Sequence, residues 1–336
     1  MQDSATPGTM LSAVYDALAG PGTRLWPVWL LLAVLIAYAL YRRRRVEGSF
    51  LAWAFPRQVY FHASHLVDIK LFLVGRAMAM LGVFNSVVFS SAVALWVAGA
   101  FPAGGLGLAP PHPVLVALIL LMVGDFAVYW VHRLHHETRA LWPFHSLHHS
   151  AEVMTPVTVY RKHPVYDLIS SFVRGILLGT LQGVFLGLFA GEVGYLMVLG
   201  VNAGYVLFNA AGSNLRHTHI WFSYGPLLER IFISPAQHQI HHSSAVEHHD
   251  CNYGEVLAIW DWMFGTLYVP EAEERLQFGL ADAEGRPLPQ RHGTLSAALM
   301  VPLRDFAEVL GAALRRNPAA RAQDEAAPPE RVTPAE

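Results

Sequence analysis

The chain has 336 residues and a formal net charge of −2, and 54% of it is hydrophobic against only 14% charged, where soluble domains carry roughly 25% charged residues. That balance points to a membrane protein, and the lack of a basic excess argues against a nucleic-acid partner. A single cysteine, Cys251, excludes an intrachain disulfide framework, a thiolate-ligated iron–sulfur cluster and a Cys-rich zinc finger, leaving the 18 histidines as the main soft-metal chemistry.

In chain order, a short segment (1–24) precedes the apolar run 25–41, LWPVWLLLAVLIAYALY, which approaches the ~20 residues a spanning helix needs. Arg42, Arg43, Arg44 and Arg45 follow it. A cleavable signal would carry its positive charge before the apolar run, so this segment reads as a retained anchor. The positive-inside rule then places these arginines in the cytoplasm and the N-terminus outside. Residues 46–70 carry Trp53, Phe55, Tyr60 and Phe61 among scattered charges, which suits a segment lying at the interface.

Further apolar runs at 77–100, 113–131, 168–190 and 194–213 are each near spanning length. Five crossings follow, the last two joined as a hairpin through Gly191 and Gly194. Segment 42–76 holds Arg42 to Arg45, Arg57, Lys70 and Arg76, whereas 101–112 and 190–194 hold no basic residue. That asymmetry puts 132–167 and 214 onward on the cytoplasmic side. Residues 317–336 are Ala, Pro and charge without apolar periodicity, as in a disordered tail. The expected fold is an all-α integral membrane protein of about five transmembrane helices with a cytoplasmic His-rich helical cap.

Fourteen of the 18 histidines fall between residues 132 and 249, and none of them lies inside an apolar run. They gather where the third and fifth expected crossings meet the cytoplasm. HSLHH (His145, His148, His149) and HQIHH (His238, His241, His242) repeat one i, i+3, i+4 pattern, which on a helix sets three side chains on one face. Each triplet reads as a metal tripod. In HRLHH, His132 and His136 are also i, i+4, and at 100° per residue Asp125, Tyr129, His132 and His136 share one stripe. His135 lies off it. Asp125 sits inside an apolar run, where an ionisable group is expensive, and its expected use is to hold the second N–H of a ligating imidazole. These boxes give eight imidazoles, with His217 a ninth, a number that suits two ions with four or five ligands each. Imidazole suits Zn, Cu, Fe and Ni alike. Isolated histidines such as His62, His65, His112 and His292 read as structural.

The order HxxxH, HxxHH, HxxHH, followed by HDCNYG and WDWMFGT (260–266), resembles the fatty acid hydroxylase superfamily, whose members are often called sterol desaturases. The resemblance covers roughly residues 115–270, and the upstream helices with FGL (278–280) are similar to a bacterial branch. It implies a di-metal domain at 113–270, preceded by transmembrane and interfacial helices at 25–112 and followed by a cytoplasmic segment at 271–316. It also implies a non-haem di-iron centre that uses O₂ to hydroxylate or desaturate a lipid chain or sterol. By position, the implied ligands are His132, His136, His145, His148, His149, His238, His241 and His242. His217 matches a further histidine found before the last box, and His248 one preceding the Asp-x-Asn-Tyr-Gly stretch. His219 and His249 add imidazoles beside these, and with Asp250 they join the candidate supporting or substrate residues.

Breaking an unactivated C–H bond needs a redox metal, which zinc is not. Arg161 and His163, in VTVYRKHPVYD (157–167), are candidates either to meet a lipid head group or to anchor the chain at the interface. GGLGL (104–108) has no strand or helix context for dinucleotide binding, and no appended haem domain is visible. An external electron donor, a ferredoxin or a reductase, is therefore expected. Hydroxylation is expected over desaturation, in a bacterial inner membrane with the site on the cytoplasmic side. A metal transporter is the non-enzyme alternative, and it would need ligands at the membrane midplane.

Overall fold

The longest apolar stretches form the longest rods. The computed structural model describes residues 7–315 apart from 84, 85, 103, 104, 110, 190–203 and 205. The described residues hold no strand, only three isolated β-bridges. The helices that position the site are α1 (Pro7–Ala19), α2 (Pro27–Arg43), α3 (Ala63–Met80), α4 (Ser86–Ala98), α5 (Pro113–Glu137), α6 (Trp142–His149), α7 (Pro164–Phe189), α8 (Pro235–His241) and α9 (Leu295–Arg315).

Among the described residues, two helices are long and apolar enough to cross a membrane: 114–137 within α5, with mean hydropathy 2.4, and α7, 26 residues with mean hydropathy 1.7. At 1.5 Å per residue each exceeds the ~30 Å hydrocarbon core. The other expected crossings differ in form. The first run becomes α2, only 17 residues long. The run at 77–100 is not one helix: α3 begins at Ala63, inside the segment expected at the interface, and the chain breaks at Gly82 (φ +75°) before α4. Packing explains the early start, because Val67 and Leu71 of α3 are buried against Leu147 and Ala298 beneath the histidine layer. The last run, its hairpin glycines and the tail at 317–336 lie wholly or mostly outside the described residues.

Helix directions follow from contacts. α4 and α7 run parallel, because a Cβ on Gly175, Gly179, Gly183 or Gly187 would meet Phe89, Val93, Val97 or Phe101 in that order. α5 runs against α7, with Val116 and Leu120 packed on Phe185. The end of α2 lies beside the histidine layer, where the Arg44 guanidinium donates to the Trp221 carbonyl at 2.7 Å. So α5 runs toward the imidazoles and α3, α4 and α7 run away from them, while both ends of α2 meet the site region, Arg24 before its start bonding to Tyr160, Asn214 and Glu255.

The glycine row on α7 lets the two backbones approach as small residues do between membrane helices. A Cβ at Gly179 would sit 2.5 Å from the Ser90 carbonyl oxygen, whereas one at Gly124 would meet only a Leu178 methyl at 3.9 Å. Gly179→Ala should therefore lower stability by about 1–3 kcal/mol through overpacking, and Gly124→Ala should raise it by about 0.5–1 kcal/mol. Thermal unfolding in detergent reads both, and equal shifts would refute the close approach.

Candidate metal centre

The boxes sit on short elements that could not stand alone in water. α6 has eight residues, and all three of its imidazoles are buried. α8 has seven, and a capping box starts it: Ser234 Oγ accepts from the Gln237 amide at 3.2 Å while Gln237 Oε1 accepts from the Ser234 amide at 3.0 Å. Glu229 ties that cap down by accepting from Ser234 Oγ at 2.6 Å. His132 and His136 come from the last turns of α5, and His217 from the loop before α8.

Folding gathers nine imidazoles in two groups. His132, His136, His145, His149 and His241 form one, His148, His217, His238 and His242 the other, and within each group the ligand nitrogens lie within 4.8 Å of one another. Each triplet, read from sequence as a single tripod, is instead divided between the groups. On a helix, residues i and i+4 differ by about 40°, whereas i+3 turns about 60° the other way. His145 and His149 thus face the first group and His148 the second, while His238 and His242 face the second and His241 the first.

Nε2 atoms converge in both groups. His136 and His149 are 3.1 Å apart and His149 and His145 3.2 Å. In the second group His238 and His217 are 3.0 Å apart, His217 and His148 3.3 Å, and His242 and His238 3.3 Å. Two nitrogens each about 2.1 Å from one ion, at an angle of about 90–105°, stand about 3.0–3.3 Å apart, so the spacing fits first-row metal ligation. Carbonyls fix three tautomers: His132 Nδ1 donates to Tyr253 O at 2.8 Å, His241 Nδ1 to Cys251 O at 2.8 Å and His148 Nδ1 to Arg161 O at 3.3 Å. This turns their Nε2 lone pairs inward. Nε2 of His132 and of His241 is buried without a hydrogen-bond partner, a cost of about 1–3 kcal/mol each that a metal ion would relieve.

Burial, and after it the neighbouring imidazoles, hold His145, His149 and His242 well below the ordinary histidine range. Burial does the same to His148, His217 and His238, and pushes His241 down to about 3. All seven are therefore neutral at pH 7, with lone pairs free to ligate.

A second layer holds the carbonyl-bearing segment. Asp250 and Asn252 have φ of +57° and +55°, a sparsely populated region for residues other than glycine. Asn252 is tethered by its side-chain amide to Gln237 O at 3.2 Å, and its Oδ1 accepts from the Tyr268 amide at 2.8 Å. The Asp261 carboxylate accepts from the amides of Tyr253 and Gly254 at 2.7 and 2.8 Å and from Thr266 Oγ1 at 2.7 Å. Asn252 and Asp261 thereby aim the Cys251 and Tyr253 carbonyls at His241 and His132. Sequence reasoning gave these two residues no role, although both sit in the motifs NYG and WDWMFGT that carry the resemblance.

Other expected residues stand elsewhere. Asp125 does not reach an imidazole. It lies two turns from His132 and accepts from the amides of Val256 and Leu257 and from Trp260 Nε1 at 2.9–3.0 Å. Arg161 meets no head group, because it is fully buried and paired with Asp68 at 2.7 Å. His163 donates to Leu299 O and His219 to Trp53 O. His248 faces Glu274 at 2.9 Å and is in neither group. His249 is exposed, and Asp250 approaches His136 Nδ1 at 3.6 Å and accepts from the Tyr253 hydroxyl at 3.0 Å. His135 is buried against Val131 O, off the ligand stripe.

Two cavities lie near the groups, and ligand imidazoles line the smaller of them. One of about 270 Å³ touches the imidazoles of His136, His149, His241 and His242 and is closed on its other side by residues 279–283. The other, of about 460 Å³, lies between α3, α5 and α7 on the side toward the long helices, walled by Leu71, Phe72, Leu120 and Leu178 and carrying several charges.

The family model described as Fatty acid hydroxylase matches residues 117–266. An ornithine lipid hydroxylase of Rhizobium tropici is 32% identical over 169 residues, covering 50% of this chain and 46% of that protein. An alkylglycerol monooxygenase of Xenopus tropicalis is 34% identical over 156 residues, covering 46% of this chain and 31% of the relative. A Delta(7)-sterol 5(6)-desaturase of Gibberella zeae is 28% identical over 183 residues, covering 52% and 51%. The chain thus spans about half or less of the length of these curated relatives, and no solved structure matches it.

Proposed function

Since residues 117–266 belong to the fatty acid hydroxylase family, we propose that this chain is a membrane-bound, non-haem di-iron oxygenase that hydroxylates a lipid using O₂. The observation that carries the reading is the gathering of nine imidazoles into a five and a four that share α6 and α8. His132, His136, His145, His149 and His241 would hold one iron, and His148, His217, His238 and His242 the other. When bound, two redox-active irons supply the electron transfer and O₂ chemistry that breaking an unactivated C–H bond requires.

The chain's own residues do the rest. The carbonyls of Tyr253, Cys251 and Arg161 fix the ring orientation of three ligands, and Asp261 and Asn252 keep two of those carbonyls in place. Buried walls exclude water from the imidazoles. The smaller cavity gives O₂ access to both groups. Electrons come from an external ferredoxin or reductase. The imidazoles stand at the end of α5 and not at its middle, which disfavours a transporter.

The experiment is turnover under ¹⁸O₂ with metal analysis of the purified protein. We expect two metal ions per chain, activity with iron, and one labelled oxygen in the product lipid. Loss of two hydrogens without label would make the protein a desaturase, and full activity with zinc alone would overturn the redox reading.

The proposed topology has five crossings in a bacterial inner membrane, with the imidazoles cytoplasmic and the N-terminus outside. The directions of α3, α5 and α7 favour it, as does the seat of Arg44 beside Trp221. Cysteine labelling should find position 270 accessible only from the cytoplasmic side, and labelling from outside would overturn it.

A further inference from the structure

Resting on the lipid-oxygenase reading, we propose that the cavity of about 460 Å³ seats the head group of the substrate, and that this head group is anionic. The substrate class is then a lipid bearing a phosphate or carboxylate, not an uncharged glyceride or sterol.

Charge at the cavity is unbalanced. Arg24, Arg76, Lys162 and Arg174 all line it. Glu255 neutralises Arg24 at 3.1 Å, but Arg76, Lys162 and Arg174 make no ion pair among the described residues. Asp167 is near enough to feel Lys162 and Arg76 yet pairs with neither. Asp125 also lines the cavity, its carboxylate held by three N–H donors, so three unpaired cations face two carboxylates. Nε of Arg76 is buried without a hydrogen-bond partner, and its guanidinium lies 5.0 Å from the centre of the Tyr160 ring. Lys162 lies 5.6 Å from the Tyr166 ring. Rings hold these cations in place without neutralising them.

Placement adds to this. Arg174 lies eleven residues into α7, one of the two helices apolar enough to cross a membrane, where a charge is costly and serves a purpose. Side chains lean toward the N-terminus of their helix. Arg76 on α3 and Arg174 on α7 both run away from the imidazoles, so their heads lean back toward that layer, where Lys162 lies. Lys162 follows Arg161, whose carbonyl accepts from His148, and Val128 stands one turn before His132. An anion held there by Lys162 stands one residue from the Arg161 carbonyl that orients His148, and the wall of Leu71, Phe72, Leu120 and Leu178 receives the apolar part of the same molecule.

The test measures retention of dioleoyl phosphatidylglycerol and of dioleoylglycerol by the full metal-loaded chain in a neutral detergent. We expect the anionic lipid to bind at least about tenfold more tightly, since its charge makes charge-assisted hydrogen bonds that an uncharged lipid lacks. The double change Arg76→Gln with Arg174→Gln should erase that preference while leaving metal content and dioleoylglycerol binding unchanged. If the double variant does not accumulate, Lys162→Gln alone should lower the preference in the same direction. Equal binding of the two lipids by the parent, or an unchanged preference in the variants, would overturn the proposal. Inorganic phosphate binding as tightly as the lipid would overturn it too, by making the cavity a site for a soluble anion. Retention is read without turnover, so absent hydroxylation with charge-dependent retention removes the oxygenase reading and not the anion preference.

Discussion

Replacing His148 with alanine should take turnover below about 1% of the parent's and leave no more than one tightly held metal ion per chain. Changes in outer-shell partners alone typically cost 10–100-fold, and His148 is one of only four imidazoles in its group. His241→Ala should do the same to the other group. His241 is one of five there, but its Nδ1 is fixed by Cys251 O and its Nε2 has no other partner. The control is His62→Ala, which removes a helix cap in which His62 Nδ1 accepts from the Ser64 amide at 3.2 Å. That should cost about 0.5–2 kcal/mol of stability and leave both ions. His292, which looks like a neutral control from sequence, is 1% exposed, so its truncation should lower stability without releasing metal. Retention of both ions by the His148 and His241 variants would mean that the groups act as packing and not as ligands.

The metal-free histidine layer should lose its fold between about pH 6.5 and pH 5, while the metal-loaded layer survives well below that. Folding depresses the affinity of these imidazoles for protons, so the unfolded state binds more protons once the pH falls below the ordinary value of about 6.5. The stability these groups contribute is complete above that value and declines as the pH drops toward their folded values. Each pH unit costs about 1.4 kcal/mol per group, and seven such groups would exhaust a typical 5–15 kcal/mol within one to two units. A bound ion occupies the lone pair and blocks protonation. Near-ultraviolet circular dichroism with and without chelator reads the midpoint, and a pH-independent metal-free protein would show that the imidazoles are already protonated and solvated.

How much was legible depended on how local the signal was. The histidine boxes could be found because i, i+3, i+4 spacing is a property of one helix. Their division between two groups was not, because it depends on how α6 and α8 face each other across 90 residues of chain. Asp125 was misassigned for a related reason: its stripe on α5 was right, but what lies against that stripe two turns from His132 is the segment 256–260, which runs into the short helix Ile259–Met263. Arg161 looked like a surface cation because nothing near it in sequence announces Asp68, 93 residues away. The run at 77–100 misled because hydropathy does not register the turn at Gly82. The glycines at 175, 179, 183 and 187 recur every four residues, but the sequence reading gave them no role, because nothing local names the helix they pack against.

That repeat leaves α4 and α7 nearly self-similar along their shared axis. A slide of four residues, about 6 Å at 1.5 Å per residue, would bring each glycine opposite the next notch with little change in fit. The row itself therefore fixes how closely the helices approach but only weakly fixes their axial offset. The offset is set at the far end, where the Leu106 amide donates to Gly187 O at 2.9 Å and the Leu108 amide to Leu188 O at 3.0 Å. Those two bonds act as a detent. Because Asp167 and Arg174 ride on α7, the detent also bears on how far their charges stand from Arg76 on α3, so a connection remote from the imidazoles gauges the depth of the charged cavity.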